Sequence, residues 1–444
     1  MKPSSIRASV AALSAGSASS VRLLEAARAA AEAQSDLNAL AWVDWEASAA
    51  AAHALDVEAR AGRLRGPLHG VPVSIKDLFN VRGMPTRAGT RAALPDLGPP
   101  EAELVARLRA AGALVFAKTN MHEIALGATG ENRWTGDVKN PRDPARQAGG
   151  SSSGAAVAVA CGIGLGAVGS DTGGSVRIPA AFCGVTGFKP SFGAIPLAGG
   201  LHLSWTCDHA GPLARSVDDC ALLYEAMSGR RSDHGAVPRA PRLAVPSDWL
   251  APRLSPAVAE RFEAALESLR ARGAIVEPVT IPALPLAWDC YTPIVRAEAA
   301  FVHRAALAGG GEGFSDLVLP PLQDGARMPA GQYFEAMRVR EQVRAGLDAV
   351  LARWDALVLP TSPVPPPLRG QLDVGVAGGG SMSAREAILG QNLPFSLVGV
   401  PALSLPMGDA AGLPASLQIV AARDADARLL ALGRWAEEAL GVVA

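Results

Sequence analysis

The chain has 444 residues, 49% of them hydrophobic and 19% charged, which is enough apolar material to bury a large core in one to three domains. A formal net charge of −1 and the lack of any basic stripe with interleaved aromatics argue against nucleic acid or an anionic membrane as partner. The expected partner is a small molecule. Cys161, Cys183, Cys207, Cys220 and Cys290 form neither a Cys-x-x-Cys pair nor a zinc spacing, so they read as reduced packing residues of a cytoplasmic protein. No metal or cofactor is expected.

At the N-terminus Lys2 and Arg7 are followed by apolar residues that Ser9, Ser14 and Gly16 interrupt, so no secretory signal is expected. The alanine-rich stretch from Val21 to Glu32 and the segment from Trp45 to Ala61 suit helices, which Gly62 and Gly66-Pro67 end. Val71 to Asp77 then reads as a buried strand that carries Lys76 near its end. Glu101 to Ala111 is a predicted helix, Ala113 to Ala117 a strand, Gly154 to Cys161 a helix and Gly166 to Gly169 a strand. This alternation is an α/β pattern. From about Arg230 to Val350 the chain becomes more helical, with Pro- and Gly-rich interruptions, before Ala356 to Leu359 and Ala402 to Leu405 again read as buried strands. The uncharged run from Gly149 to Ser170 is rich in glycine and falls short of the ~20 apolar residues that a membrane span needs.

Lysine is scarce. Positions 2, 76, 118, 139 and 189 hold the only lysines among 41 basic residues, so arginine is the default cation. Arginine stays charged in a protein, whereas a buried lysine can lose its proton, which singles out Lys76 as a candidate base. A simple compositional bias explains Lys118, Lys139 and Lys189 equally well.

The glycine-rich stretch that follows contains several motif matches of unequal weight. Gly164 to Gly169 fits G-x-G-x-x-G but leads into Asp171-Thr172-Gly173-Gly174, with no helix after it and no acidic residue about 20 positions on. His122-Glu123 opens H-E-x-x-H, yet position 126 is leucine, so no metal site is expected. Gly150-Ser151-Ser152-Ser153-Gly154 fits G-x-S-x-G, but a loop precedes it where a strand is required. Asp171 to Ser175 is the more telling run: its glycines let successive N–H groups aim at one point, and a serine hydroxyl ends the turn. Such a run suits an oxyanion hole beside a nucleophile, and a simple Gly-rich turn explains it equally well.

Gly149 to Pro190, with its Gly-Gly-Ser-Ser and Gly-Ser-Asp-Thr-Gly-Gly-Ser-Val-Arg segments, closely resembles the amidase signature family. The resemblance covers Asn38 to about Gly229 and resumes near Leu359-Pro360-Thr361 and Gly399 to Ala402. It implies one domain, a three-layer α/β/α sandwich around a large mixed, mostly parallel sheet. Within it, 1–65 would be N-terminal helices, 66–229 the signature core, 230–350 a variable helical substrate-side region and 351–444 a return to the core sheet. By the same resemblance Ser175 is the nucleophile, Ser151 the bridging serine after a cis peptide, and Lys76 the base. Thr172, Gly173, Gly174 and Ser175 would supply the oxyanion hole. Ser152 would support the lysine and Ser153 cap a helix, while Asp171 and Arg177 would orient the loop or form a plain buried pair. Met121, Leu126 and Trp134, with Tyr291 and Tyr333, are expected either to line the acyl pocket or to pack in the core.

The implied reaction is hydrolysis of a small-molecule amide, and monomer and homodimer both stay open. Two other readings remain. One is the glutaminase-type subunit of a tRNA-dependent amidotransferase, although that subfamily has Arg-Gln-Pro where this chain has Arg177-Ile178-Pro179, and its Asn-Leu-x-Arg-Tyr-Asp-Gly segment has no counterpart around Arg296 to Gly311. The other is an esterase of α/β-hydrolase type that uses Ser152 with Asp208 and His209.

Overall fold

Short apolar runs bounded by glycine and proline form the strands β1 (Leu40–Val43), β2 (Pro72–Lys76), β3 (Leu114–Thr119), β4 (Gly166–Asp171), β5 (Thr186–Lys189) and β6 (His209–Ala214). Later in the chain come β7 (Arg242–Val245), β8 (Ile275–Pro278), β9 (Ala356–Pro360), β10 (Asp373–Gly375), β11 (Ser381–Ser383), β12 (Ala402–Ala410) and β13 (Leu413–Val420). The computed structural model describes residues 5–232 and 237–441, so Lys2 of the N-terminal stretch lies outside the described residues. Eleven strands make one sheet in the order β1-β3-β2-β4-β6-β5-β12-β13-β9-β7-β8, and β10 with β11 forms a separate hairpin.

Successive residues of the central strands enter different cores, because strand side chains alternate between faces. Leu114 and Phe116 join one apolar cluster and Val115 the other, and Ala167 and Val168 divide in the same way. The helices Ser20–Ala33, Trp45–Arg60, Ser153–Ala160 and Arg177–Cys183 contribute to the first cluster. Glu103–Ala110, Val217–Ser228, Pro256–Ala271 and Asp426–Leu440 contribute to the second. The result is a single-domain three-layer α/β/α sandwich.

The sheet is mixed as expected, but parallel pairing is in the minority. β2/β3, β2/β4, β7/β8 and β7/β9 are parallel. The other six neighbouring pairs are antiparallel. For β12 and β13 the cause is their connection, since Ala411-Gly412, with φ of 52° and 77°, make a tight turn that only antiparallel strands accept. The region 230–350 is also less uniform than its helical reading, since β7 and β8 place it at the far edge of the sheet. All five cysteines are free, and no helix among the described residues is long and apolar enough to cross a membrane.

The helix Ser153–Ala160 is pressed against the chain beside β1 and β3. A Cβ on Gly154 would lie 2.2 Å from the Ala39 carbonyl oxygen and 2.5 Å from that of Asn120, and both obstacles are backbone. Alanine gains up to about 1 kcal/mol in helix propensity, but overpacking a rigid site costs about 3 kcal/mol. Gly154→Ala is therefore expected to lower the unfolding free energy by about 2 kcal/mol net, read from the midpoint of urea denaturation.

Candidate active site

The parallel register of β2 with β4 brings the C-terminal ends of both strands, Lys76 and Ser170, to one place. There the fully buried Lys76 Nζ donates to Ser151 Oγ at 2.7 Å, Ser170 Oγ at 2.8 Å and Ser152 Oγ at 3.0 Å. Among the described residues no carboxylate touches it. Burial pulls the Lys76 ammonium down to about 7, while the charges of Asp171 and Asp208 act in the opposite direction. The peptide bond Gly150-Ser151 is cis, and the Ser151 carbonyl accepts from the His122 N–H at 3.2 Å. Ser170 lies within the Gly-Ser-Asp-Thr-Gly-Gly-Ser segment, but the sequence assigns it no role.

Ser152 is buried and fully engaged. Its hydroxyl accepts from Lys76 and from the Ser170 N–H at 3.2 Å, and donates to the Ser170 carbonyl at 3.1 Å. His209 does not approach it, because Nδ1 faces the Asp171 and Cys207 carbonyls at 3.1 and 2.7 Å. The Ser152, Asp208 and His209 of the esterase reading are thus not brought together as a triad. Ser153 opens its helix without capping it, and its hydroxyl has no partner among the described residues.

Between β4 and the helix Arg177–Cys183, the loop 172–176 is held from below by Asp171. This carboxylate accepts from the Gly174 N–H at 2.8 Å, the Val176 N–H at 3.2 Å, Arg177 Nε and Nη2 at 3.0 and 2.9 Å, and Ser396 Oγ at 2.8 Å. Burial alone would raise its pKa, but the charge and hydrogen bonds of Arg177, followed by Lys189, hold the carboxyl well below its usual range. The expected oxyanion set therefore needs one correction: the Gly174 amide is already committed to Asp171. The amides of Thr172, Gly173 and Ser175 have no such acceptor among the described residues. Asp208 fixes the other side of the loop by accepting from Thr172 Oγ1 at 2.7 Å and from the Leu203 and Ser204 amides at 3.0 and 3.1 Å.

Ser175 opens onto a cavity of about 710 Å³, to which Thr172, His122, Leu126 and Tyr291 also contribute. The Ser175 hydroxyl has no hydrogen-bond partner among the described residues, and its carbonyl accepts from the Ser152 N–H at 3.2 Å. Tyr291, on the helix Leu286–Val302, hangs over the loop: a Cβ on Gly173 would lie 2.2 Å from its hydroxyl, so only glycine fits there. Burial drives the Tyr291 phenol far above its usual pKa, which keeps it protonated. Burial, and then the charge of Lys76, lowers the His122 imidazole to about 4 and keeps it neutral.

Three expected lining residues do not line the cavity. Met121 is packed in the core, where a hydrophobic residue next to β3 is most stable. Trp134 turns its indole N–H to the buried Glu123 at 3.0 Å and stacks under Arg91 at 4.6 Å. Tyr333 donates to Glu298 at 2.9 Å. The segments 370–373 and 383–389, on which no motif falls, form a large part of the wall instead.

The Amidase family model matches residues 22–430 of the chain. The A-type glutamyl-tRNA(Gln) amidotransferase subunit of Symbiobacterium thermophilum is 36% identical over 86% of this chain and 85% of its own length. Among solved structures, a protein described as an amidase is 49% identical, covers 98% of this chain and 99% of its own, and superposes with a TM-score of 0.95. The A-type glutamyl-tRNA(Gln) amidotransferase subunit of Thermotoga maritima is 30% identical over 84% of each chain, with a TM-score of 0.72.

Removing Arg177 would leave the Asp171 charge buried without a cation, the arrangement that costs most in a protein interior. Arg177→Met is expected to lower the unfolding free energy by roughly 3–5 kcal/mol in urea denaturation. The surface pair Arg28–Glu32, at 2.8 Å, serves as control, with an expected loss below about 1 kcal/mol on Arg28→Met.

Proposed function

Because the chain belongs to the amidase signature family, we propose that it hydrolyses the carbon–nitrogen bond of a small-molecule linear amide through an acyl-enzyme on Ser175. The observation that carries this reading is a buried lysine near neutrality whose side-chain partners are three serine hydroxyls. Neutral Lys76 accepts the Ser151 proton as Ser151 takes that of Ser175, and the freed Ser175 oxygen attacks the amide carbonyl. The tetrahedral oxyanion is met by the amides of Thr172, Gly173 and Ser175, each worth on the order of 3 kcal/mol. Ser151 then returns the proton to the leaving amine, and water, activated by the same relay, releases the acid. Ser152 and Ser170 hold Lys76 in place, while Asp171 and Arg177 keep the loop in shape. The five free cysteines suit a reducing, cytoplasmic compartment.

A second reading, the glutaminase-type component of a tRNA-dependent amidotransferase, is favoured by the curated relatives that carry that name. Against it stand Ile178 in place of glutamine and the closer superposition on the amidase, at TM-score 0.95 against 0.72. The isolated chain decides between them. It is expected to turn over simple aliphatic or aryl amides without partners, and a trapped acyl group located by peptide mass is expected on Ser175. A label on Ser152 would sink the mechanism.

Two kinetic outcomes follow from the relay. Ser175→Ala and Lys76→Met are each expected to lower kcat by about 10⁴-fold or more. Ser152→Ala, which removes one hydrogen bond to the lysine, should cost only about 10- to 100-fold. Since Lys76 works unprotonated, kcat/KM should fall as pH drops below about 7 with the slope of one proton. A profile that stays flat through that pH would contradict Lys76 as the base.

A further inference from the structure

Most of the cavity wall beyond Ser175 is apolar, with Leu126, Leu203, Val295, Leu317, Ile388 and Leu389 among its residues. Its polar exceptions include two arginines. Arg296, on the helix Leu286–Val302, is paired with Asp324 at 3.2 Å outside the cavity. Arg385, on the helix Ala384–Gly390, pairs with no carboxylate among the described residues. Its guanidinium instead stacks over Trp288 at 5.1 Å from the ring centroid and reaches Thr292 Oγ1 at 3.4 Å. Those contacts fix the long side chain in advance, so little rotamer freedom remains to be lost when a ligand binds. Thr292 directly follows Tyr291 in the chain, and both line the cavity with Arg385, which brings the cation near the residue overhanging the oxyanion loop.

Resting on the amidase reading above, we infer that the substrate is an amide whose acyl chain ends in a carboxylate, bound by Arg385. The reacting carbonyl sits at Ser175, an apolar chain lies along the leucine and isoleucine wall, and the far carboxylate meets the guanidinium fork. Arginine presents paired N–H donors that match a carboxylate in a bidentate manner. The cavity also holds two carboxylates, Glu131 and Asp373, neither of which forms an ion pair among the described residues. Glu131 repels an acidic group from its own position, whereas Asp373, opposite Ser383 in the β10–β11 pair and so near Arg385, offsets part of the guanidinium charge.

The test compares a homologous series of dicarboxylic acid monoamides with neutral alkyl amides of matched length, on the isolated full chain. Wild-type kcat/KM is expected to favour the acidic member of the best-matched pair by about tenfold or more. Arg385→Gln should collapse that ratio toward one through KM more than through kcat, and Arg385→Lys should restore part of it. With Ser175→Ala, calorimetry should show the acidic amide binding more tightly than the neutral one, and additional substitution of Arg385 by Gln should remove the difference. Equal or better turnover of neutral amides by wild type, or a ratio unchanged in Arg385→Gln, overturns the inference while leaving the hydrolase reading intact. Turnover of neither series overturns the hydrolase reading and this inference with it.

Discussion

The site depends on one buried ion pair, Asp171 with Arg177. Both side chains are fully inaccessible, and removing two charges from water is costly unless every donor and acceptor is satisfied. Arg177 meets that demand by donating to Asp171, Ser396 Oγ, the Asn392 carbonyl and Gln418 Oε1, the last two at 3.1 and 2.5 Å. These partners lie on β4, on the 392–396 segment and on β13. One guanidinium therefore joins the loop of the first half to the antiparallel strands of the second. Asp171, in turn, spends its remaining acceptor capacity on the amides of Gly174 and Val176, which shapes the loop that ends in Ser175.

The same carboxylate bears on the lysine. Desolvation acts to strip the proton from Lys76, and the negative charges of Asp171 and Asp208 act to keep it, leaving a pKa of about 7. A lysine held there can accept a proton near neutrality and still give it back. Lys189 shows that burial alone does not make a base. It too lies near 7, yet its Nζ donates to the Pro190 and Val400 carbonyls at 3.0 and 2.6 Å, where no hydroxyl can pass a proton onward. The difference between the two is what the ammonium touches.

Much of the catalytic side was legible from residue order, because it is built from short-range constraints. A strand ending in Lys76, adjacent serines at a helix start, and a glycine-rich turn ending in Ser175 each declare themselves locally. The helices Ser20–Ala33 and Trp45–Arg60 and the strands β2, β3, β4, β9 and β12 were visible for the same reason. β1, β5 through β8 and β13 were not. They are four to eight residues long, and apart from the β12–β13 turn their pairing is set by long-range partners that periodicity does not name. Trp134 and Tyr333 were misplaced because an aromatic with a polar tip goes where a buried acceptor waits, here Glu123 and Glu298.

By itself the sequence determined the α/β class, the family resemblance and the serine and lysine set, since these rest on residue types at fixed spacings along one stretch of chain. Tertiary structure alone decided the balance of parallel and antiparallel pairing, the commitment of the Gly174 amide to Asp171, and the part played by Ser170. It also decided which residues line the cavity. Leu126 and Tyr291 were among the residues expected to line it, whereas Arg385 lies far from Ser175 along the chain and reaches the same cavity only through tertiary packing. A contact of that kind is fixed by packing in three dimensions, which leaves no period or motif in the chain to be read.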